Sequence, residues 1–247
     1  MRIALISDIH GNRPALEAVL DEINGEPVDR IWCLGDIVGY GADPDACTAV
    51  VGEVVERCLA GNHDLVVRGD IDIGYFAMSA GAAARWTVKV INEQTLEFLR
   101  PLVPLGEKEG IGLYHASPRD PVWEYVLSVR QAADCLQVQR QRIALIGHSH
   151  VACYFSRANG IGPGGETIGE VAQPGTVLEM TDGRWLVNPG SIGQPRDGDP
   201  RAAWMMLDTD SLTATFHRVE YPVEAAAKSI LDAGLPRQLA DRLFSGQ

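Results

Sequence analysis

The chain has 247 residues, 46% of them apolar, which is enough for one large α/β domain or two small ones and does not indicate disorder. With 21 basic and 33 acidic residues the net charge is −12, and no cluster of Lys and Arg stands out, so we expect no extended nucleic-acid surface. A small phosphorylated substrate is compatible with this negative net charge, because metal ions can supply a local cationic site.

The N-terminal apolar run is too short for a secretion signal and is interrupted by Asp8. No stretch approaches the roughly 20 apolar residues of a membrane span. The five cysteines are scattered and never in a CxxC spacing, which argues against a disulfide framework or a zinc–thiolate site. We therefore expect a cytoplasmic protein with no membrane partner.

Short apolar runs alternate with helical periodicity at the start of the chain. Asn12 is a candidate N-cap for the first helix, with Pro14 in its first turn. The predicted order is strand 1–7, helix 13–23, strand 30–34, helix 43–54 and strand 56–60. This order predicts a parallel sheet covered by helices.

The rest of the chain changes character. A helical pattern covers 76–103 and is broken near Asn92. After it we predict a hairpin at 108–116, a helix at 128–140, strands at 143–146 and 151–157, a glycine-rich loop at 159–169, strands at 177–180, 184–187, 202–208 and 214–218, and helices at 223–233 and 236–244. No linker or repeat divides the chain, so we predict one domain, 1–247, of two packed sheets with helices outside them. The helices at 223–244 either pack on this domain or mediate oligomerisation.

Polar blocks follow five of the predicted strands. They read SDIHGN at 7–12, GDIVGYG at 35–41, GNHD at 61–64, HAS at 115–117 and GHSH at 147–150. The loops at the carboxyl ends of strands in open α/β sheets converge on one crevice, where ligands bind. The two histidines of GHSH share a face only in an extended chain, so we expect a strand end there.

Each block also has a purely structural interpretation. Asp8 suits a turn, Asn12 a helix cap, Asp36 an Asx turn, Asn62 a left-handed turn and His115 a half-buried strand end, and both histidines of GHSH suit a solvated loop. Taken together, these interpretations require a coincidence at five strand ends.

A centre of two divalent metals explains the set. Asp and His suit Mn²⁺, Fe²⁺ or Zn²⁺, and two ions roughly 3.5–4 Å apart need a bridging carboxylate, clamp phosphoryl oxygens and generate hydroxide. Asp36 is the candidate bridge. Asp8 and His10 reach one ion, Asn62 and His115 reach the other, and His148 and His150 divide between them.

The ordered blocks resemble the calcineurin-like metallophosphoesterase superfamily, and SDIHGN together with NPGSIGQPR at 188–196 is similar to its compact bacterial and archaeal phosphodiesterase-like branch. The resemblance runs from residue 3 to about residue 208. It implies a four-layer α/β/β/α sandwich of two mixed sheets. It also implies one metal held by Asp8, His10, Asp36 and His150 and a second held by Asp36, Asn62, His115 and His148. The block HAS stands where the family more often has His-Gly.

The resemblance gives His63 a catalytic role. It implies that His63 donates a proton to the leaving oxygen or stabilises the phosphoryl charge, with Asp64 fixing its tautomer. Some compact relatives carry cysteine at this position and are biased toward diesters. Because the chain keeps His63, monoesters are not disfavoured.

Further residues are candidates for contact with substrate. Asn12 can cap the first helix and present its N-terminus to a phosphate, and Arg196 either contacts substrate or is an exposed turn arginine. Asn62, a candidate metal ligand, is also a candidate for substrate binding. Trp123, Tyr125 and Tyr40 either line a pocket for a base or aryl group or are packing residues. We expect His217 to be structural.

We predict metal-dependent hydrolysis of a small phosphodiester or phosphomonoester, with metal-bound hydroxide as the nucleophile. The alternatives are a non-catalytic protein-interaction scaffold on the same fold and a nuclease, which the net charge of −12 disfavours.

Overall fold

The computed structural model describes residues 1–158 and 165–247. These residues contain twelve β-strands and eight α-helices. The first half of the chain contains β1 (Arg2–Ile6), α1 (Arg13–Asn24), β2 (Arg30–Cys33), α2 (Pro44–Val54), β3 (Arg57–Cys58), α3 (Asn62–Val67), α4 (Met78–Val90), α5 (Glu93–Leu99), β4 (Leu105–Lys108) and β5 (Ile111–Tyr114). The second half contains α6 (Val129–Val138), β6 (Ile143–Leu145), β7 (Cys153–Arg157), β8 (Thr167–Val171), β9 (Val177–Glu179), β10 (Arg184–Asn188), β11 (Ala202–Asp208), β12 (Thr213–Val219), α7 (Val223–Asp232) and α8 (Arg237–Asp241). Two 3₁₀ turns, Ile73–Tyr75 and Arg242–Phe244, complete the description.

The strands form two mixed sheets of six strands each. The first sheet has the order β3-β2-β1-β11-β12-β9, in which β1, β2 and β3 are parallel and β11 runs antiparallel to β1. The second has the order β4-β5-β6-β10-β7-β8, in which β5, β6 and β10 are parallel. The parallel sheet predicted from the β-α-β-α-β order is therefore one half of the first sheet.

Strand β1 shows how the layers form. Because successive side chains of a strand point to opposite faces, its apolar run supplies two cores. Ile3 and Leu5 join the apolar cluster between the two sheets, which includes Leu113 of β5 and Leu145 of β6. Ala4 and Ile6 face the helices instead.

Helices cover the outer face of each sheet. Residues of α1, α2, α7 and α8 pack on the first sheet, among them Leu16, Val51, Ile230 and Leu239. Helix α6 packs on the second sheet through Ala132, Cys135 and Leu136. The predicted four-layer α/β/β/α sandwich of two mixed sheets is confirmed.

Several local predictions differ from the structure. The third strand is only Arg57–Cys58, and GNHD opens helix α3, which the sequence did not indicate because the helix has only six residues, all buried. The helix predicted over 76–103 is two helices, and Asn92 caps the second by accepting a hydrogen bond from the Thr95 N–H. Part of the predicted glycine-rich loop is strand β8, and residues 159–164 of that loop lie outside the described residues.

The predicted hairpin is present, but it is formed by β4 and β5 over 105–114 and not over 108–116. Its two turn residues, Glu109 and Gly110, both have positive φ, as a type I′ turn requires. Across the part of the chain that the structure describes, no helix has the length and apolar character needed to cross a membrane.

The core between the sheets makes a testable contribution to stability. Leu113 is fully buried there, whereas Leu105 on the neighbouring strand is 45% exposed. We expect Leu113→Ala to lower the free energy of unfolding by about 3 kcal/mol, since it leaves a cavity, and Leu105→Ala to lower it by less than about 1 kcal/mol. Urea denaturation measures both, and equal losses would contradict this account of the core.

Candidate metal centre

The five polar blocks meet at one edge of the two packed sheets. Asp8 and His10 follow β1, Asp36 follows β2, and Asn62 begins the helix after β3. From the second sheet, His115 follows β5, and His148 and His150 follow β6. Because the strands that precede these residues are parallel within each sheet, their carboxyl ends bring all seven side chains to the same crevice.

Four of these side chains form a first cluster. The ligand atoms of Asp8, His10, Asp36 and His150 lie within 4.8 Å of one another, and all four residues are buried. His10 Nε2 is 3.0 Å from His150 Nε2 and 3.5 Å from Asp36 Oδ2, and His150 Nε2 is 3.5 Å from Asp8 Oδ1. This geometry places two imidazoles and two carboxylates around one point.

A second cluster shares Asp36 with the first. It contains Asp36, His115 and His148, again within 4.8 Å and buried. Asp36 Oδ2 is 3.6 Å from His115 Nε2, and the same oxygen faces His10 in the first cluster. Asn62 Oδ1 lies 3.1 Å from His115 Nε2. The carboxylate of Asp36 therefore lies between the two clusters.

The backbone of the clusters is strained. Asp8, His10, Asp36, His148 and His150 all have φ between 51° and 63°, a left-handed conformation that non-glycine residues seldom adopt. Each such residue costs on the order of 1–3 kcal/mol. The extended conformation predicted for GHSH is wrong, because the two histidines converge on the crevice through left-handed backbone.

Gly147 allows the close approach of GHSH to β1. A Cβ at this position would lie 2.2 Å from Ser7 Oγ and 3.0 Å from Asp8 Oδ2. The residue that precedes His148 must therefore be glycine for the segment to pack on Asp8.

Three histidine rings are oriented by backbone carbonyls. Nδ1 of His10 lies 3.1 Å from Val38 O, Nδ1 of His115 lies 2.9 Å from Leu34 O, and Nδ1 of His150 lies 2.6 Å from Gln194 O. A carbonyl oxygen only accepts hydrogen bonds, so each Nδ1 carries the proton and each Nε2 presents a lone pair to the crevice. This is the tautomer of a metal-binding histidine.

The segment NPGSIGQPR supports two blocks at once. Asn188 Nδ2 donates to Gly147 O at 2.7 Å and to Ser149 Oγ at 2.9 Å, which directs the Ser149 side chain away from the clusters. Ser191 Oγ donates to Asp8 O at 2.8 Å, and the Arg196 N–H donates to His150 O at 3.0 Å. This segment thus holds GHSH and the turn at Asp8 in register.

Burial controls the charge of the clusters. It raises the pKa of Asp8 to about 7, and together with the nearby Asp64 carboxylate it raises the pKa of Asp36 well above its usual range. It also lowers the pKa of His10, His148 and His150 well below the ordinary value, an effect that the nearby Arg196 guanidinium reinforces. These rings are therefore neutral at pH 7, and the Arg196 guanidinium only partly offsets the rise in the pKa of Asp8 and Asp36.

These features fit bound cations. His10 and His150 are neutral, and both carry the proton on Nδ1, so two lone pairs face each other across 3.0 Å. His148 Nε2 is buried without a hydrogen-bond partner among the described residues. A divalent ion in each cluster would remove these conflicts, and the nitrogen and oxygen donors suit Mn²⁺, Fe²⁺ or Zn²⁺.

The structure corrects the role predicted for Asp64. Its carboxylate accepts four backbone hydrogen bonds, from the N–H groups of Asp36, Ile37, Val38 and Gly61, at 2.8–3.2 Å. His63 Nδ1, by contrast, is buried without a hydrogen-bond partner in the described part of the chain. Asp64 therefore does not fix the tautomer of His63. It holds the backbone of the loop that carries Asp36.

His63 lies beside the first cluster. Its backbone N–H donates to Asp36 Oδ1 at 2.8 Å. Its ring packs 4.3 Å from that of Tyr40 and 4.4 Å from that of Phe76, between centroids. Burial lowers the pKa of His63 well below its ordinary value, with the Arg196 guanidinium and His115 as further causes.

Arg196 is not an exposed turn residue. Its guanidinium lines the same cavity as Asp36 and His150, stacks over the Tyr40 ring at 5.6 Å, and has a buried Nε without a partner among the described residues. Gln194 Oε1 accepts hydrogen bonds from Arg196 Nη2 at 2.9 Å and from Arg242 Nη1 at 3.1 Å. The C-terminal segment thus contributes to the placement of Arg196.

Asn12 has its polar atoms engaged elsewhere. Its Oδ1 accepts from the Ala15 N–H at 3.2 Å, which confirms the N-cap of α1, and its Nδ2 donates to Gly193 O at 2.8 Å. It does not line the cavity beside the metal ligands, so the geometry gives no support for direct contact with substrate. His217 lies elsewhere as well, stacked on Trp204 with 4.1 Å between ring centroids.

A cavity of about 220 Å³ opens over the two clusters. Trp123, Tyr125 and Tyr40, the aromatic candidates, all line it. The sequence reasoning missed Tyr75 and Phe76, which also line it and lie between α3 and α4. The adjacent aromatic pair in the polar stretch GDIDIGYF was the available signal.

The family model of the calcineurin-like phosphoesterase superfamily domain matches residues 1–212. The chain belongs to this superfamily. It is 36% identical to the uncharacterised protein MJ0912 of Methanocaldococcus jannaschii, over 99% of the chain and 98% of that protein. It is 25% identical to the phosphodiesterase YfcE of Escherichia coli, over 86% and 90%. Among solved structures, the metallophosphoesterase from Sphaerobacter thermophilus matches with a TM-score of 0.89 at 37% identity, over 100% of this chain and 99% of that one.

The clusters predict stabilisation by metal with a defined pH dependence. Mn²⁺ at a hundred times its Kd should raise the free energy of unfolding by about 2.7 kcal/mol. Asp8 is protonated below its pKa of about 7, so there the metal must displace a proton. The Kd should therefore rise about tenfold for each pH unit below that pKa and level off above it. Thermal shift at several pH values measures this, and Asp36→Asn should abolish it.

The two histidines of GHSH should hold different ions. His150 belongs to the cluster of Asp8 and His10, and His148 to the cluster of His115. We expect His148→Ala and His150→Ala each to retain one ion, so that the magnetic coupling of a Mn²⁺ pair gives way to the signal of a single ion. Elemental analysis and electron paramagnetic resonance measure this, and loss of both ions from each variant would contradict the division.

Proposed function

We propose that the chain hydrolyses a small phosphoester at a centre of two divalent metal ions, with Asp36 as the bridging ligand. The position of Asp36 Oδ2, 3.5 Å from His10 Nε2 and 3.6 Å from His115 Nε2, carries this proposal. Asp8, His10 and His150 complete the first site, and Asn62, His115 and His148 complete the second. When bound, two such ions supply a hydroxide nucleophile at neutral pH and stabilise phosphoryl charge.

Residues of the chain orient the metal ligands and bind the phosphoryl group in this proposal. The carbonyls that bind Nδ1 of His10, His115 and His150 hold those rings in fixed orientation. Arg196 lines the cavity with an unpartnered buried Nε, and it has no carboxylate partner among the described ion pairs. We assign Arg196 to the non-bridging phosphoryl oxygens, because a guanidinium binds such oxygens in pairs.

His63 serves as the proton donor to the leaving oxygen in this proposal. Its ring lines the cavity beside Asp36, and Nδ1 is free of protein partners in the described residues. Its depressed pKa in the substrate-free protein disfavours the protonated form. The negative charge of a bound phosphoester favours the protonated form, so His63 carries its proton when the leaving oxygen is beside it.

The substrate is small in this proposal, because the cavity is narrow and the net charge of −12 opposes a nucleic-acid backbone. A phosphodiester or a phosphomonoester both fit this chemistry. YfcE is named a phosphodiesterase, which supports the first, and the retained His63 does not disfavour the second. A protein-interaction scaffold is the second candidate, and the complete set of Asp, Asn and His ligands in the crevice disfavours it.

We also propose that residues 1–247 form one domain that acts in the cytoplasm. Ile230 of α7, Leu239 of α8 and Leu243 join the apolar cluster of α1, which supports a single unit. The five cysteines are free thiols, as is usual in a reducing compartment.

Removal of a central ligand should abolish hydrolysis. We expect Asp36→Asn and His10→Ala each to lower kcat/KM for an aryl phosphate at least about a thousandfold, because phosphoryl transfer here depends on the metal charge. Circular dichroism should show a retained fold, and Asp232→Asn, at an exposed ion pair with Lys228 on α7, serves as the control. Undiminished hydrolysis by either ligand variant would sink the proposal.

The proton-donor role of His63 predicts a dependence on the leaving group. We expect His63→Gln to lower kcat about a hundredfold or more for alkyl phosphates, and much less for nitrophenyl phosphates, whose leaving oxygen needs no proton. The measurement compares mono- and diesters that share a leaving group, with several metals. An equal loss for alkyl and nitrophenyl substrates would leave His63 as a phosphoryl-charge stabiliser instead.

A further inference from the structure

The cavity mouth carries an aromatic pair that the metal chemistry does not use. Tyr75 and Trp123 lie with ring centroids 6.1 Å apart at an interplanar angle of 38°. Both rings line the cavity that contains Asp36 and His63. They come from different parts of the chain, Tyr75 from the 3₁₀ turn before α4 and Trp123 from the loop before α6.

The rings form a row that leads away from the proposed proton donor. The Phe76 ring lies 4.4 Å from that of His63 and 5.8 Å from that of Trp123, where the contact is T-shaped at 81°. Trp123 then contacts Tyr75. Because the leaving oxygen lies at His63 in the proposed mechanism, the rest of the leaving group extends along this row.

Tyr75 is exposed to an unusual degree for a large side chain in such a row. It is 75% exposed, whereas Trp123 is only partly exposed. Neither ring forms a hydrogen bond among the described residues that would explain its position. An exposed aromatic side chain beside a cavity that holds polar catalytic groups is typical of a ligand-binding site.

The size of the cavity places the leaving group at this mouth. Its volume of about 220 Å³ is below the roughly 300–1,000 Å³ of pockets that enclose drug-sized ligands. In the proposed function the phosphoryl group lies in the part of the cavity lined by Asp36, His148 and His150. A larger leaving group must therefore lie against Phe76, Trp123 and Tyr75.

We propose, on the basis of the proposed function, that the leaving alcohol carries a planar ring system, as a nucleoside does, and that this ring stacks against the pair of Tyr75 and Trp123, which we call the clamp. Hydrolysis then forms a P–O bond to water, breaks the bond between phosphorus and the nucleoside oxygen, and delivers a proton to that oxygen. The mouth favours a planar ring because Tyr75, Phe76 and Trp123 line the cavity together with two alanines, and because Asp36 and Arg196 are the only Asp, Glu, Lys or Arg side chains in its described lining.

Two substrates that differ only in the base test the clamp. Adenosine 5′-phosphate and ribose 5-phosphate share the same leaving oxygen, and their methyl esters form the matching diester pair. We expect kcat/KM to be about tenfold or more higher for the substrate that carries the base than for its partner without it. Tyr75→Ala should bring this ratio of the two kcat/KM values close to one. A ratio near one in the unaltered protein, or a ratio that Tyr75→Ala does not change, would overturn the proposal.

Two variants serve as controls. Tyr75→Phe keeps the ring and should retain the ratio, which separates stacking from hydrogen bonding by the hydroxyl. Tyr154 and Trp185 form an aromatic pair of nearly the same geometry, 6.3 Å and 38°, outside the cavity. We expect Tyr154→Ala to leave the ratio unchanged, and a change there equal to that of Tyr75→Ala would overturn the proposal.

A binding measurement that needs no hydrolysis distinguishes failure of this inference from failure of the proposed function. Failure to hydrolyse any member of either pair with Mn²⁺, Fe²⁺ or Zn²⁺ would contradict the proposed function. The clamp is then tested with adenosine alone, by saturation-transfer nuclear magnetic resonance on the full chain. Adenosine contacts that Tyr75→Ala removes and Tyr154→Ala retains support the clamp. No contacts in the unaltered protein would refute it.

Discussion

The carboxylate of Asp36 is the constraint on which the rest of the site depends. Its Oδ2 lies between a histidine from the first sheet, His10, and a histidine from the second, His115, while its Oδ1 accepts the His63 N–H. Its own backbone N–H is held by Asp64 Oδ2 at 2.8 Å. The two clusters can share Asp36 only if the carboxyl ends of the strands in both sheets meet at the same edge. The apolar core between the sheets fixes this alignment.

This arrangement opposes the stability of the metal-free fold. Burial raises the pKa of Asp8 and Asp36, and a left-handed backbone at five residues adds strain. The burial of charge and the backbone strain have the same origin. Side chains that converge on one point cannot point alternately to the two faces of a sheet, as they do along a strand. Hydrogen bonds from the backbone to Asp64, and from Asn188 and Ser191 to the neighbouring blocks, offset part of this cost locally. Bound cations would offset the remainder, which ties folding to metal.

The sequence predicted this site better than it predicted the backbone that builds it. Residue types at five strand ends were enough to bring Asp8, Asp36 and His115 to one crevice, because parallel strands share an edge. The left-handed backbone of GHSH could not be predicted, because the spacing of apolar and polar side chains does not reveal whether φ is positive or negative. The helix that begins at Asn62 was missed because six buried residues show no amphipathic period. The role of Asp64 was misassigned because adjacency to His63 in sequence does not reveal hydrogen bonds to a loop 26–28 residues away.

The cavity mouth and the metal clusters follow different structural rules. The clusters are held by two sheets and by buried hydrogen bonds, so each ligand is constrained by several neighbours. Tyr75 and Phe76 lie instead on a short connection between α3 and α4, where Tyr75 is 75% exposed and Phe76 packs on His63 and Trp123. A substitution at the exposed Tyr75 changes the lining without removing a contact of Asp36 or of the histidines. The chemistry of phosphoryl transfer and the choice of leaving group are thus carried by separate parts of the chain, and the second can vary while the first is retained.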